Sequence, residues 1–479
     1  MKNIQSALYL TPKATFYSSK TKIVNAGETL HDELLLNDRE LYTYLLYFGN
    51  ATYYSKSMII ENLLGCSINK PENKTNDERR LEIEDALIIN ALFNENMTHA
   101  LKMLLRLKDK RINNKRTSNI ILTFLFKRGN LDKISLKYKS KIKDLLVHAL
   151  GRPTINKILY EDKEGQLALK KITSKYGNRW IEETIFFVFN KDIPYRNENF
   201  AEYIETRKIF EKKDLTKLGD KGSNLPIEVL IGFNNFYGTH AKISDLYKKA
   251  VVSDKQKIQF QNVAVKNDIE IEIDFNKYSI LELFKYLYSR KSIGNHYDLL
   301  ELIREKAKAL SFKVPKDACL LWDCSASNSG SKESEMTPHY KNLVLAEIFN
   351  LPIYRVGGYM SDGLIYPDGD SDLTPALLLA VEDGYKSIYI LSDGFENSGD
   401  FDVVYDSLLK LMPDIKSVHF NPVFSAKNFT FKTLHERIPT IPYMDEKDLP
   451  FVELFRLLNT DPNQFKSVVR EKILSELCL

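Results

Sequence analysis

The feature that most constrains the fold of this 479-residue chain is a change in its hydrophobic pattern near residue 312. Before that point, apolar residues recur at spacings of three and four, as in Arg79–Leu107 and Asn119–Gly129. This spacing is typical of amphipathic helices, and strand-like alternation is confined to Val263–Phe275. We therefore predict a solenoid-like or bundled all-α domain over residues 1–312, although no repeat of fixed period is visible.

After residue 312, short apolar runs alternate with helix-like stretches. The predicted strands lie within 318–323, 353–358, 386–393 and 416–424, and the predicted helices within 339–350, 374–384 and 400–412. Strands that alternate with helices form a mostly parallel sheet with helices on both faces. Residues 313–479 are therefore predicted to be a doubly wound α/β domain, in which a site is expected at the carboxyl ends of the strands.

Composition argues against membrane and disulfide-rich classes of protein. A membrane-spanning helix needs about 20 apolar residues, and the longest comparable stretches, 119–126 and 373–381, are much shorter. The first 20 residues lack the apolar core of a secretory signal. The four cysteines include no CxxC pair, which supports neither a disulfide framework nor a zinc site. We expect a cytoplasmic protein with no membrane partner.

Charge is distributed unevenly along the chain. The whole chain has a net charge of +4, but residues 102–157 contain sixteen Lys or Arg and three Asp, which gives +13. Residues 362–406 contain eleven acids and one Lys. A basic run is usually a solvated face, yet an excess of this size favours binding to polyanions, whereas the acidic region should attract cations.

The strongest chemical signal lies at the ends of the predicted strands. Asp323, Ser325 and Ser327 form a DxSxS motif after the first strand, Thr374 begins a helix after an acidic loop, and Asp393 ends the strand at 386–393. Two carboxylates and three hydroxyls at one sheet edge suit Mg²⁺, which prefers oxygen ligands. The alternative is a solvated acidic loop beside a nucleotide-binding fold. However, neither GxGxxG nor GxxxxGK[ST] accompanies the first strand.

These five positions resemble the metal-ion-dependent adhesion site (MIDAS) of von Willebrand factor A domains, and the similarity extends over roughly residues 316–479. Thr374 follows Asp370–Leu373 rather than a glycine pair, and Asn328 stands where the family often has methionine. The resemblance implies that Asp323, Ser325, Ser327, Thr374 and Asp393 hold Mg²⁺ or another divalent cation. It also implies a protein partner that donates a carboxylate to the metal.

A second resemblance covers the helical part. Lys22–Tyr54, Arg116–Phe126, His148–Ile158 and Thr173–Trp180 are similar, in this order, to segments of the TROVE module of Ro autoantigens and their bacterial relatives. Proteins of that family carry a von Willebrand factor A domain after the module. The resemblance implies a HEAT-like helical ring that holds a small structured noncoding RNA, usually a Y RNA, and admits single-stranded ends of misfolded RNA. Residues 201–313 match least.

Candidate RNA-binding residues follow from the matching motifs and from charge. The motifs imply phosphate or base contacts by Arg116, Lys127, Arg128, His148 and Arg152, and charge alone adds Lys139 and Lys141. RNA of this kind is recognised by shape, phosphate contacts and stacking on unpaired bases, so no DNA specificity is expected. A packed, structural histidine is the alternative for His148.

Three functional classes remain open from the sequence. The first is a noncatalytic ribonucleoprotein scaffold with a Mg²⁺-dependent protein-interaction site. The second is a metal-dependent protein-interaction adaptor that binds no RNA. The third, a metal-dependent hydrolase, has least support because neither HExxH nor GxSxG is present and Cys324 has no histidine near it in sequence. We therefore expect that the protein is not an enzyme.

Overall fold

A computed structural model describes residues 2–9, 20–49, 51–66, 74–219, 224–254, 256–257, 271–289, 296–310, 314–330, 337–396, 399–425, 430–443 and 446–476. The chain forms two compact units. One consists of Met1–Ser55 and Phe275–Leu479, and we call it the sheet unit. The other is Lys56–Asp274, and we call it the helical unit.

The helices are numbered in chain order across both units. They are α1 (Lys2–Tyr9), α2 (Lys20–Asn37), α3 (Arg39–Tyr44), α4 (Tyr53–Gly65), α5 (Lys74–Asn94), α6 (Met97–Asp109), α7 (Lys115–Phe126), α8 (Leu131–Leu150), α9 (Arg152–Tyr160), α10 (Lys163–Tyr176), α11 (Ile181–Val188), α12 (Glu198–Glu211), α13 (Ile227–Tyr237), α14 (Ile243–Lys248), α15 (Ile280–Ser289), α16 (His296–Leu310), α17 (Thr337–Phe349), α18 (Thr374–Glu382), α19 (Phe401–Leu411), α20 (Val452–Thr460) and α21 (Pro462–Glu476).

The helical unit is built from helices that pack on their neighbours in sequence and, through α8, also on the more distant α11 and α12. Helix α7 begins where the side chain of Asn114 accepts a hydrogen bond from the backbone N–H of Thr117. Its buried residues include Ile120, Ile121 and Phe124, which share one broad face at helical spacing. Helix α7 packs on α8, and α9 packs on α10. The helical character predicted for this part of the chain is confirmed.

The sheet unit contains a five-stranded parallel sheet. The strands are β1 (Ala318–Asp323), β2 (Ile353–Val356), β3 (Tyr359–Ser361), β4 (Leu364–Tyr366), β5 (Ser387–Leu391), β6 (Lys416–Asn421), β7 (Phe424–Ser425), β8 (Thr430–Phe431) and β9 (Thr440–Pro442). Within the described residues, the order in the main sheet is β2-β1-β5-β6-β9, and every neighbouring pair is parallel. Two antiparallel pairs, β3 with β4 and β7 with β8, lie outside it.

Helices cover both faces of this sheet. On one face, Leu321 of β1 and Ile390 of β5 share a buried cluster with Leu377 of α18 and Tyr405 of α19. On the other face, the ring centroid of Tyr389 is 4.9 Å from that of Phe349 in α17. Alternate residues of a strand point to opposite faces, so β1 and β5 are buried on both sides. The predicted α/β character of the C-terminal part is confirmed.

The division into units differs from the predicted boundary between residues 312 and 313. Residues from the start of the chain pack with the C-terminal helices, because the Phe48 ring stacks on Phe455 and Phe465 at centroid distances of 4.5 and 5.6 Å. Helices α15 and α16 pack on α17. The change in hydrophobic pattern at residue 312 therefore marks a change in secondary structure within the sheet unit.

The strand predicted at 263–275 falls mostly outside the described residues, which exclude 258–270. Residues 271–274 have no regular structure, and Phe275–Lys277 forms a short 3₁₀ turn. Within the described ranges, no helix has the length and apolar character needed to cross a bilayer.

Candidate metal centre and basic surface

The predicted metal ligands meet at one edge of the parallel sheet. Asp323 is the last residue of β1, and Asp393 follows β5 by two positions. Strands β1 and β5 are adjacent and parallel, with Trp322 opposite Leu391, so their carboxyl ends lie side by side. Thr374 is the first residue of α18. The structure thus brings these elements of the predicted constellation to the same edge.

The carboxylate of Asp323 is fully buried and is held by three donors. Its Oδ1 atom accepts a hydrogen bond of 3.0 Å from the backbone N–H of Ser325. Its Oδ2 atom accepts from the hydroxyls of Ser392 at 2.8 Å and Ser371 at 3.2 Å. The Ser325 and Ser327 hydroxyl oxygens are 3.0 Å apart. Sequence reasoning did not identify Ser371 or Ser392, although each lies within three residues of a predicted ligand.

Asp393 carries a second buried carboxyl at this edge. Burial and the nearby negative charge of Asp323 raise its pKa to about 6, although hydrogen bonds from the Phe395 backbone and the Ser327 side chain and the charge of Lys432 act in the opposite direction. The Phe395 N–H lies 2.9 Å from Asp393 Oδ1. Two carboxyl groups that repel each other in a buried setting are an arrangement that a divalent cation can stabilise.

Thr374 contributes a buried hydroxyl that lacks a partner. Its backbone N–H donates to Asp372 Oδ1 at 3.1 Å, but its Oγ1 atom has no hydrogen-bond partner in the described part of the chain. Leaving a buried polar group unpaired is unfavourable, so such an atom suggests a ligand or ordered water at that position. This unpaired oxygen fits a role as a metal ligand.

The loop before α18 is fixed by Glu396, which sequence reasoning missed. Its two carboxylate oxygens accept hydrogen bonds from the backbone N–H groups of Leu373 at 3.2 Å and Phe401 at 3.3 Å. Burial raises the pKa of the Glu396 side chain. These two hydrogen bonds hold the start of α18, and with it Thr374, beside the loop that follows β5. Glu396 lies three residues after Asp393, and this proximity is the only sequence signal that could have identified it.

The donor set defines what this edge could bind. Across the residues that the structure describes, no group of three or more His, Cys, Asp or Glu side chains is placed to hold a metal. A metal here would therefore take part of its ligands from the hydroxyls of Ser325, Ser327 and Thr374. Such a set of oxygens, with Asp323 and Asp393, suits a hard cation such as Mg²⁺ rather than Zn²⁺.

Cys324, next to the first ligand, is buried and contacts a histidine. Its Sγ lies 3.7 Å from Nδ1 of His339, which comes from α17 and is distant in sequence. Burial raises the pKa of the Cys324 thiol to about 12 and lowers that of His339 to about 4. The pair is therefore neutral near pH 7, and Cys324 is not a reactive thiolate there.

Arg116, predicted to contact RNA, is engaged inside the helical unit. Its Nη2 atom is 3.0 Å from Glu84 Oε2, and its Nε atom forms an ion pair with Asp85. Its Nη1 atom donates to the carbonyl of Leu63 at 3.2 Å. These contacts join α7 to α4 and α5. The geometry gives this arginine a structural role, and its phosphate contact stays a prediction.

Arg128 and His148 are also partly enclosed. The Arg128 guanidinium lies 4.5 Å from the Phe93 ring centroid and 4.4 Å from that of Phe124, and its Nη2 donates to the carbonyl of Leu92 at 3.3 Å. His148 Nε2 is 3.0 Å from the carbonyl oxygen of Ile112. His148 therefore matches the packed-histidine alternative, and only part of Arg128 is available to a ligand.

Lys127 and Arg152 are more accessible than Arg128 and His148, whereas Lys139 and Lys141 are only partly exposed. Lys127 and Arg152 are exposed, and Lys141 is half-buried with its Nζ 5.5 Å from the Tyr138 ring centroid. Lys139 Nζ lies 4.0 Å from the ring centroid of Phe187. Burial and the positive charges of Arg207 and Lys143 lower the pKa of Lys139 to about 8. Arg207 and Lys143 were not among the predicted contacts.

Many other bases of segment 102–157 are paired with acids. The pairs are Arg106 and Lys110 with Glu61, Lys108 with Asp144, Lys137 with Glu228, and Lys157 with Glu164. Three of the four acids lie outside the segment. The positive charge available to a polyanion is therefore lower than the sequence count indicates, and one group of neighbouring bases within it, Lys139 and Lys143, lies close to Arg207.

The variant Lys139→Met is expected to be more stable than the parent at pH 7 by ~1–2 kcal/mol, because it removes a half-buried charge. The folded-state pKa is below the usual value, so between about pH 8 and pH 10 the unfolded chain binds a proton that the folded chain does not. The difference in unfolding free energy between Lys139→Met and the parent should therefore shrink as pH rises through this window. Denaturant unfolding at about pH 7 and at about pH 10 tests this, with exposed Lys133→Met as control. A difference of the same size at the two pH values would contradict the prediction.

Comparison of the chain with protein-family models, with curated proteins and with solved structures found no match. The similarities to the TROVE module and to von Willebrand factor A domains therefore remain predictions from the motifs.

Proposed function

We propose that this chain is a noncatalytic RNA-binding protein, a ribonucleoprotein scaffold of the Ro-like type. In this proposal the helical unit is a TROVE-like, HEAT-like structure that binds a small structured noncoding RNA and single-stranded RNA ends. The sheet unit is a von Willebrand factor A-like domain that recruits a protein partner through Mg²⁺. A cytoplasmic location accompanies this proposal.

The observation that carries the RNA proposal is the cation cluster of Lys139, Lys143 and Arg207. Its members come from α8 and α12, and the charges that perturb Lys139 are both positive. Three neighbouring cations offer phosphate contacts, and the partly exposed Tyr203 ring, whose centroid is 5.1 Å from Lys139 Nζ, offers a surface on which a base can stack. The positive charges of Arg207 and Lys143 disfavour the charged form of Lys139, an effect that a bound polyanion would offset.

The donor set at the sheet edge supports the partner-binding half of the proposal. Asp323, Asp393, Ser325, Ser327 and Thr374 would hold the cation, which would supply a Lewis-acidic charge for a carboxylate from outside the chain. Ser327 is exposed, so the cluster reaches the protein surface. The remaining residues act by position: Ser371 and Ser392 orient the Asp323 carboxylate through their hydroxyls.

The second candidate is the metal-dependent adaptor without RNA. It is favoured by the pairing of many segment 102–157 bases with acids, which reduces the basic surface. In this reading the helical unit contacts an acidic protein face. The sheet edge with Asp323 and Asp393 again binds a partner's carboxylate through Mg²⁺. RNA retention by the purified protein distinguishes the two candidates.

Replacing Lys139, Lys143 and Arg207 together by Gln is expected to weaken binding of structured small RNA at least tenfold and to lower its salt dependence, because fewer counterions are released. The readout is the dissociation constant of the full chain for co-purified RNA at several salt concentrations. The control replaces Lys163, Lys170 and Lys171 by Gln, all exposed on α10, with the same change in charge. We expect it to bind within about threefold of the parent. A parent without RNA, or equal losses in both variants, would favour the adaptor.

A further inference from the structure

A pocket of roughly 490 Å³ in the helical unit has features that the general charge pattern does not explain. Its walls come from residues 126–129, at the end of α7, and from residues 176–180, at the end of α10. The volume is in the range of small-ligand sites. The lining includes three basic residues, Lys127, Arg128 and Arg179, and no carboxylate.

Hydrogen bonds fix the shape of this pocket. The Asn178 side-chain amide donates to the carbonyl of Phe126 at 3.2 Å and to that of Arg128 at 3.1 Å, which ties the two walls together. The Trp180 backbone N–H donates to Asn178 Oδ1 at 2.9 Å. Gly177 has a φ of +67° and caps α10, a conformation that side-chain-bearing residues rarely adopt.

Two buried donors at the pocket lack acceptors. Tyr176 is 91% buried, being 9% exposed, and its Oη has no hydrogen-bond partner in the described residues. The same holds for the buried Nε of Arg128. Both residues line the pocket. Buried polar atoms are nearly always paired in folded proteins, and a ligand with acceptor atoms in this cavity would provide partners for two donors that the described residues leave unpaired.

The rim of the pocket offers a flat surface. The Arg179 guanidinium lies 4.5 Å from the ring centroid of Trp180. Arginine planes and indole rings are common stacking surfaces for unpaired bases. Lys127 and Arg179 are exposed, so their charges reach solvent. An anionic group and a planar ring therefore find complementary surfaces within one cavity.

We propose that this pocket binds one nucleotide of a single-stranded RNA, with its phosphate at Lys127, Arg128 and Tyr176 and its base against the Arg179–Trp180 pair. The inference rests on the proposed function, because it names the contact for one part of the RNA. It differs from the Lys139 cluster in residues and in ligand: the pocket takes an unpaired nucleotide, whereas the cluster contacts structured RNA.

Intrinsic fluorescence gives a local readout, because the chain has two tryptophans and the other, Trp322, is buried in β1 of the sheet unit. Titration of the full chain with a short oligouridylate is expected to change the Trp180 emission. Trp180→Phe should lose that change and keep the Trp322 signal. Free UMP and inorganic phosphate serve as separate probes, and each is expected to bind at least tenfold more weakly than the oligonucleotide.

Tyr176→Phe is the sharpest variant, because it removes only the orphaned hydroxyl. It should bind the oligouridylate about tenfold more weakly, which matches a lost hydrogen bond to a charged group, while its melting temperature equals or exceeds that of the parent. Lys127→Gln with Arg179→Gln should also lose tenfold or more. The matched pair Lys163→Gln with Lys171→Gln removes the same charge from exposed sites on α10 and should lose much less.

Three results would overturn the inference. They are the absence of any emission change with oligouridylate, parent-like affinity in both the Tyr176 and the Lys127/Arg179 variants, and binding of free UMP as tight as that of the oligonucleotide. The proposed function is judged separately, since structured RNA should remain bound to the pocket variants and be released from the Lys139, Lys143 and Arg207 variant. If the pocket variants and the Lys139, Lys143 and Arg207 variant lost structured RNA equally, the claim that the pocket is a separate site would be contradicted.

Discussion

Mg²⁺ is expected to raise the melting temperature of the parent chain and to leave that of Thr374→Val unchanged. A ligand that binds only the folded state at a hundredfold excess over its dissociation constant stabilises that state by about 2.7 kcal/mol. The Thr374 hydroxyl is buried and has no partner within the described residues, so valine retains the shape and removes one predicted metal ligand. Without Mg²⁺ the variant should match or exceed the parent in stability.

Thr374→Ser is the matched control, because it restores the hydroxyl and should restore the response to Mg²⁺. Thermal unfolding with Mg²⁺ and with EDTA measures all three proteins. Asp323→Ala is a poorer probe, since it also removes the acceptor for Ser325, Ser371 and Ser392 and should destabilise the chain in EDTA as well. A parent that melts at one temperature with and without Mg²⁺ would contradict a filled site.

The meeting of the Asp323 and Asp393 carboxylates at one sheet edge could be predicted because it follows from local rules. The apolar run of β1 ends at Asp323, and the run of β5 ends two residues before Asp393, so parallel pairing brings both to one edge. The hydroxyls of Ser371 and Ser392 could not be assigned in the same way. Their bonds to Asp323 depend on the path of two loops, which hydrophobic spacing does not determine.

A count of charged residues along segment 102–157 does not predict how much positive charge the folded surface exposes. Segment 102–157 has a large positive excess, yet Glu61, Glu84 and Glu228 reach its bases from other helices. Sequence distance does not show which charges become neighbours after folding. The same limitation applies to the units, because the packing of Phe48 on Phe455 and Phe465 joins opposite ends of the chain and leaves no signature in periodicity.

Arg116→Met is expected to destabilise the helical unit by about 3–5 kcal/mol, the typical cost of breaking a buried ion pair. The Glu84 side chain is 1% exposed, so its carboxylate would lose the guanidinium in a setting where water cannot replace it. The link from α7 to α4 through the carbonyl of Leu63 would be lost as well. Hydrogen exchange of α5 and α7 amides in the full chain, beside denaturant unfolding, locates and measures the effect.

Two further variants decide whether this loss comes from the ion pair. Adding Glu84→Gln to Arg116→Met removes the unpaired charge and should recover part of the stability, whereas Arg152→Met, at an exposed position, should leave exchange unchanged. The predicted phosphate contact gives the opposite pattern: Arg116→Met would weaken RNA binding while α5 and α7 stay protected. The Arg116 guanidinium faces two carboxylates and a carbonyl within the helical unit. We therefore expect Arg116→Met to exchange faster in α5 and α7, and any loss of RNA affinity to result from this destabilisation.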